Sequence, residues 1–255
     1  MPEVIINGKK YHYAAGIPQS QAEHVIILVH GAGGNHRHWA YQTTHLGKKY
    51  LAIAVDLPGH GGSEGSSCDK IEEYADFIYD FAAHVTGTKF FLAGHSMGGA
   101  IALDFALRYP QQLHGLVLVG TGARLRVAQP ILDTFASGNR FYQLLEFAYG
   151  SAASTELLDL ARKEMDNTDP IVYYNDFTAC DKFDVMDRLQ EINLPTLVLA
   201  AGEDRLTPVK YSEFLAANIS NARLEIIKQA GHMLMLEKPE EVNSAIERFI
   251  SAYSN

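Results

Sequence analysis

The 255-residue sequence predicts an α/β fold: a mostly parallel sheet of about eight strands with helices on both faces. Three observations predict it. Short apolar runs recur without polar alternation, as strands buried on both faces require. Stretches with apolar residues at helical spacing fall between them. Gly, Asn and Pro sit at the joins, where the chain must turn.

In chain order, Val4–Ile6 and Lys9–Ala14 flank Asn7-Gly8, a two-residue hairpin signal because both positions tolerate positive φ. His24–Val29, Leu51–Val55, Lys89–Ala93, Gly115–Val119, Thr196–Ala201 and Leu224–Ile227 are the buried strands. Ile71, Tyr74, Ala75, Ile78, Ala82 and Val85 form one helical stripe. Asp69 with Glu72 predicts a capping box at its start, and Gly87 a stop. Thr207 as N-cap and Pro208 at the first helical position open another helix. Pro239 opens the last, with the stripe Val242, Ala245, Ile246, Phe249 and Tyr253.

From Gly122 to Glu191 no buried-strand run occurs. Arg124–Gly150, Thr155–Met165 and Pro170–Leu189 read as helical and are rich in Leu, Phe and Tyr. A single crossover needs one helix, so this length reads as a helical cap inserted after the sixth strand. The expected division is a core of residues 1–121 and 190–255 and a cap of 122–189.

Composition narrows the function. Lys and Arg number 21 against 30 Asp and Glu, a formal net charge of −9. That balance argues against a nucleic-acid partner, which needs clustered basic residues. No apolar run reaches the roughly 18 residues of a membrane span, and the first residues do not read as a signal peptide. Two cysteines, Cys68 and Cys180, are too few for a disulfide scaffold and are expected as free thiols. The expectation is a cytoplasmic protein, monomer or homodimer, acting on a small molecule.

Two motifs carry chemistry. Gly94-His95-Ser96-Met97-Gly98 lies between the run KFFLA and the helical run AIALDFALRY. A G-x-S-x-G turn from strand to helix presents the serine hydroxyl above the sheet edge, where the helix N-terminus favours negative charge. His30-Gly31-Ala32-Gly33-Gly34 follows the strand HVIILV. A glycine-rich turn there can aim the Ala32 N–H at a developing oxyanion, with the Met97 N–H as second donor. The G-x-G-G spacing does not fit a dinucleotide loop. His30, His36 and His38 suggest a metal only weakly, since no Cys or carboxylate follows at ligand spacing, so no metal is expected. His30 reads as a structural hydrogen-bonder. His95 reads as packing that points away from the serine, His60 as a shaper of its loop, and His36 as exposed or partly buried.

HGAGG, DLPGHGGS (Asp56–Ser63), GHSMGG, AGEDRLTP (Ala201–Pro208) and AGHMLMLEKPEEV (Ala230–Val242) together resemble an α/β-hydrolase of the serine esterase type. The resemblance covers about residues 20–120 and 192–252 and stops short of the insertion. It implies the α/β-hydrolase fold, a nucleophile–acid–base order along the chain, and no cofactor. Ser96, Asp204 and His232 match that order as nucleophile, acid and base, with Glu203 as the alternative acid. Thr121 stands where some relatives carry the acid. Ser at position 96 excludes dehalogenase and epoxide hydrolase chemistry, which need Asp there.

The implied function is cleavage of a carboxylic ester through an acyl-enzyme. Alternatives on the same site are C–C bond, thioester or lactone hydrolysis, or a menaquinone-pathway lyase. The last needs pocket arginines, with Arg124, Arg126, Arg140 and Arg162 as candidates. A small-molecule receptor is the rival from another class. For the substrate pocket the choice falls on Trp39, Phe141, Tyr142, Phe147 and Tyr174. They are drawn from Trp39, which otherwise anchors its helix, and eight cap aromatics that include Phe135, Tyr149, Tyr173 and Phe177.

Overall fold

Asn7 and Gly8 have φ of 51° and 77°, so the first turn is the tight, left-handed one that matches strand twist. It joins β1 (Glu3–Ile6) to β2 (Lys9–Gly16). The structure is a computed structural model and describes residues 2–253. The remaining strands are β3 (Val25–Val29), β4 (Leu51–Val55), β5 (Phe90–His95), β6 (Leu113–Val119), β7 (Thr196–Ala201) and β8 (Ala222–Ile227). All eight join one sheet in the order β1-β2-β4-β3-β5-β6-β7-β8. Among the described strands, the β1–β2 and β2–β4 pairings are antiparallel and the others parallel.

Alternate residues of the central strands feed two cores. Ile27, Val29, Leu92 and Leu118 face α2 (Ile71–Val85) and α3 (Met97–Arg108). Ile26, Leu28, Ala93 and Val119 belong to the opposite core with α1 (Ala40–Leu46) and the final helix. Four helices separate β6 from β7: α4 (Gln129–Ala136), α5 (Gln143–Ala148), α6 (Thr155–Asn167) and α7 (Pro170–Lys182). They leave and rejoin the core at one point, where Arg124 and Asp184 pair as an isolated bridge. Phe135, Leu144, Met165 and Tyr173 give them a small core of their own. After β7 come α8 (Val209–Asn218), α9 (Leu234–Glu237) and α10 (Pro239–Ser251).

Two capping expectations fail for the same reason. Asp69 makes no cap to α2, whose N-cap is Lys70; it bonds Lys182 Nζ on α7 instead. Thr207 does not cap α8, whose N-cap is Pro208; its hydroxyl is taken by Asp204. In both, a side-chain partner outcompetes the local N–H: Lys182, far along the chain, for Asp69, and Asp204, three residues before it, for Thr207. Cys68 and Cys180 are both free thiols.

Candidate active site

Parallel pairing aligns the strand ends. Val29 pairs with Gly94, His95 with Val119, Val119 with Leu199 and Ala201 with Ile227. The loops that follow β3, β5, β6, β7 and β8 therefore rise side by side from one sheet edge, where α/β proteins bind ligands.

Ser96 sits between β5 and α3 with φ 53° and ψ −117°, a conformation costing about 1–3 kcal/mol for a residue with a Cβ. Gly94 is needed beneath it, because a Cβ there would lie 2.0 Å from the Gly98 carbonyl oxygen. Thr121 Oγ1 donates to the Ser96 carbonyl at 2.8 Å. Ser96, Ala32 and His232 line a common cavity of about 90 Å³.

On the next loop, His232 Nδ1 lies 2.8 Å from Asp204 Oδ2. Leu206 N and Thr207 N donate to Asp204 Oδ1 at 2.9 and 2.8 Å, and Thr207 Oγ1 donates to Oδ2 at 2.8 Å. Burial alone would raise the Asp204 carboxyl; the His232 ring and these donors outweigh it and hold it low. Glu203, the alternative acid, points elsewhere and accepts from Ser151 N. Among the described residues, the N–H groups of Ala32 and Met97 have no acceptor.

Several histidines have defined work. His30 Nδ1 donates to the Gly31 carbonyl and Nε2 accepts from Leu57 N, so it joins two loops as a hydrogen-bonder. His95 does not point away from the serine. Its ring packs 4.6 Å from that of His232 and bonds the His232 carbonyl. His36 is buried, not exposed, and with His12 places three possible ligand atoms within 4.8 Å around Asp56. Sequence spacing hid this group because His12 and Asp56 come from other strands. Asp56 is already occupied: Oδ1 accepts from His36 N and Nδ1, and Oδ2 from His12 Nδ1 and Gly62 N. Burial would raise this carboxyl too, but the bonds from His36 and Gly62 hold it well below its usual range.

That yields a pH prediction. Asp56 and Asp204 have native values below the ordinary 3.8. Each adds stability above that value and loses it as pH falls toward the lower native one. The urea midpoint is expected to drop steadily from about pH 5 to about pH 3. An unchanged midpoint across that range would show that neither carboxylate is held.

The aromatic pocket residues need correction. Trp39 is fully buried in the core beside Leu28 and Leu46; it packs its helix and does not line the cavity. Tyr142 lies outward, donating to Asp166 under the Arg162 guanidinium, and Phe147 lies under Arg205. Both are 37% exposed. Phe141 and Tyr174 pack among the inserted helices. Tyr149, Tyr173 and Phe177 line the cavity instead, with Leu144 and Leu145. The helices turn these faces inward, and composition alone does not mark which face.

Asp176 was unmarked by any motif. From α7 it accepts from Gly33 N at 2.7 Å and His60 Nε2 at 2.8 Å on Oδ2, and from Tyr74 OH at 2.5 Å on Oδ1. His60 and Asp176 side chains are wholly buried. The available signal was a lone acid in the buried stripe Val172, Tyr173, Asp176, Ala179, Cys180. Gly33 has φ 64°, and a Cβ there would lie 2.0 Å from the Tyr173 ring.

A sequence model of the alpha/beta hydrolase family matches residues 26–245. The chain belongs to the alpha/beta hydrolase family. This hydrolase is 30% identical to RutD of Rhizobium rhizogenes, described as a carbamate hydrolase, across 90% of this chain and 93% of that one. A solved thermophilic esterase is 33% identical, with a TM-score of 0.85 and coverage of 99% and 97%. The enol-lactonase of Burkholderia xenovorans LB400 shares the fold, at TM-score 0.90 and 23% identity over 98% and 100%. Among the described residues of this hydrolase, no helix is long and apolar enough to cross a membrane.

Proposed function

We propose that this hydrolase is a serine esterase cleaving carboxylic esters of small, mostly apolar molecules. The observation that carries the reading is the strained Ser96 sharing a cavity with His232, whose other side is held by Asp204. With Nδ1 held by Asp204, Nε2 is the nitrogen left to take the Ser96 proton. Ser96 Oγ then attacks the ester carbonyl. The oxyanion forms beside the N–H groups of Ala32 and Met97, which lack acceptors. His232 returns the proton to the departing alkoxide, leaving an acyl-serine and an alcohol. Water, deprotonated by the same nitrogen, releases the carboxylic acid. Asp204 holds the tautomer, and Thr207 holds Asp204. The inserted helices, residues 122–189, act as a cap supplying the apolar wall.

The carboxylated substrates of the lyase alternative find no support. Arg124 and Arg126 lie toward Asp184 on the surface, Arg140 bonds the carbonyls of Met165, Asp166 and Thr168, and Arg162 covers Tyr142. None lines the cavity.

Labelling tests the reading. A fluorophosphonate is expected to add one phosphonyl group to the peptide bearing Ser96, read by mass spectrometry, and to stop turnover of a short p-nitrophenyl ester. Binding of ligands without turnover or labelling would favour the receptor alternative instead.

A further inference from the structure

The cavity wall is mostly apolar, with Ser96, His38, His95, His232 and Glu164 as its polar side chains. Leu144, Leu145, Ala148, Tyr173 and Phe177 line it, and so does the carboxylate-bearing Glu164. Glu164 lies on α6, between the buried Ala161 and Met165, a position an apolar residue would fill if packing alone were served. Its side chain is 27% exposed. It also borders a second, polar cavity of about 460 Å³, so it stands in the partition between the two. His38 Nε2 lies 3.2 Å from Glu164 Oε2, with Asn35 beside the carboxylate. His38 Nδ1 is buried without a partner among the described residues, against Gly34, where a Cβ would lie 2.6 Å from it. The imidazole thus lies between Gly34 and the acid.

Burial would raise the Glu164 carboxyl, but the His38 hydrogen bond outweighs it and keeps the group low. It is charged at neutral pH. A carboxylate offers about four acceptor sites, more than His38 and Asn35 fill. Arg37 borders the second cavity but forms no ion pair with Glu164 among the described residues, and no arginine lines the first. Glu164 is thus the one carboxylate among the described residues lining the first cavity, with no Lys or Arg beside it there, and it is partly desolvated.

We propose that Glu164, propped by His38, is a specificity subsite for a cationic amine substituent on the ester substrate. This rests on the esterase reading. An ammonium group would fill the free acceptor positions, and a carboxylate would meet like charge in a poorly screened cleft. Nothing covalent is added to the mechanism.

The test compares isosteric esters on the intact protein at neutral pH. On the acyl side these are methyl 4-(dimethylamino)butanoate, methyl 5-methylhexanoate and monomethyl glutarate. On the alcohol side they are butanoylcholine and 3,3-dimethylbutyl butanoate. We expect kcat/KM to favour the cation over its neutral isostere by about tenfold or more on at least one side, and to fall about tenfold for the carboxylate. In Glu164→Gln the cation-to-neutral ratio is expected to collapse to within about threefold of one. Glu164→Leu, matching the surrounding wall, is the second variant should the first not fold. Equal kcat/KM for wild type across both series, or a ratio unchanged in the variants, would overturn the subsite. Ser96→Ala run beside them separates the two claims. Retained turnover of the neutral esters there would sink the esterase reading; lost turnover with no wild-type cation preference would sink only the subsite.

Discussion

Replacing Ser96 by alanine is expected to lower ester turnover on the order of 10⁶-fold, the scale seen when a triad nucleophile is removed. His232→Ala should fall by a similar factor, and the double variant should fall little further, because the two act as one unit. Retention of even a tenth of the activity in Ser96→Ala would sink the assignment. The same site should show a trade of stability for function. Ser96 holds φ 53° and ψ −117°, a strain of about 1–3 kcal/mol. Glycine relieves it while adding about 0.5–1 kcal/mol of unfolded-state entropy. Ser96→Gly should therefore be inactive yet more stable by about 1 kcal/mol, measured by urea unfolding. A less stable Ser96→Gly protein would show that the turn is not strained.

Asp176→Asn is expected to cost about 3 kcal/mol, the scale of breaking a buried charged pair, and about 6–12 °C in melting temperature for a chain of this size. The amide keeps one acceptor and sets a donor against groups that themselves donate. His60 Nδ1 faces the Pro58 carbonyl and Nε2 faces Asp176, so both ring nitrogens have acceptors. Burial alone would lower His60; the Asp176 charge and bond outweigh it and raise it above 6.5. The sign follows. This contribution is complete below pH 6.5 and is lost as pH rises through the raised native value. The stability gap between wild type and Asp176→Asn should therefore be widest on the acid side and narrow at high pH. Asp176 also holds Gly33 N, one residue from the Ala32 N–H of the proposed oxyanion site. At a temperature where the variant stays folded, kcat should fall about 10²-fold with KM little changed, as expected when transition-state donors are misplaced. A drop in stability with kcat intact would leave Asp176 as a structural anchor only.

The strands were legible because their apolar runs need no partner to be recognised. β3, β4 and β7 lie within a residue of their apolar runs, and the Asn7-Gly8 turn has the dihedrals its residues favour. The proposed triad positions Ser96, Asp204 and His232 each follow a core strand within a few residues, and parallel pairing brings those strand ends together. What failed were local capping rules at Asp69 and Thr207, the first overridden by Lys182, distant in the chain, and the second by Asp204, three residues before it and bonded to His232.

The sequence by itself determined the sheet, its edge and the order along the chain of the candidate groups upon it, since period, turn chemistry and strand adjacency are properties of short segments. Only the tertiary structure decided which side of α5, α6 and α7 faces Ser96. It put Tyr149, Tyr173 and Phe177 in the cavity and left Phe141, Tyr142, Phe147 and Tyr174 outside it. It also made Asp176 and Glu164, whose hydrogen-bond partners come from distant segments, a buried clamp and a cavity wall. The reason is physical: a helix carries its periodicity in its sequence, but its rotation is set by what it packs against.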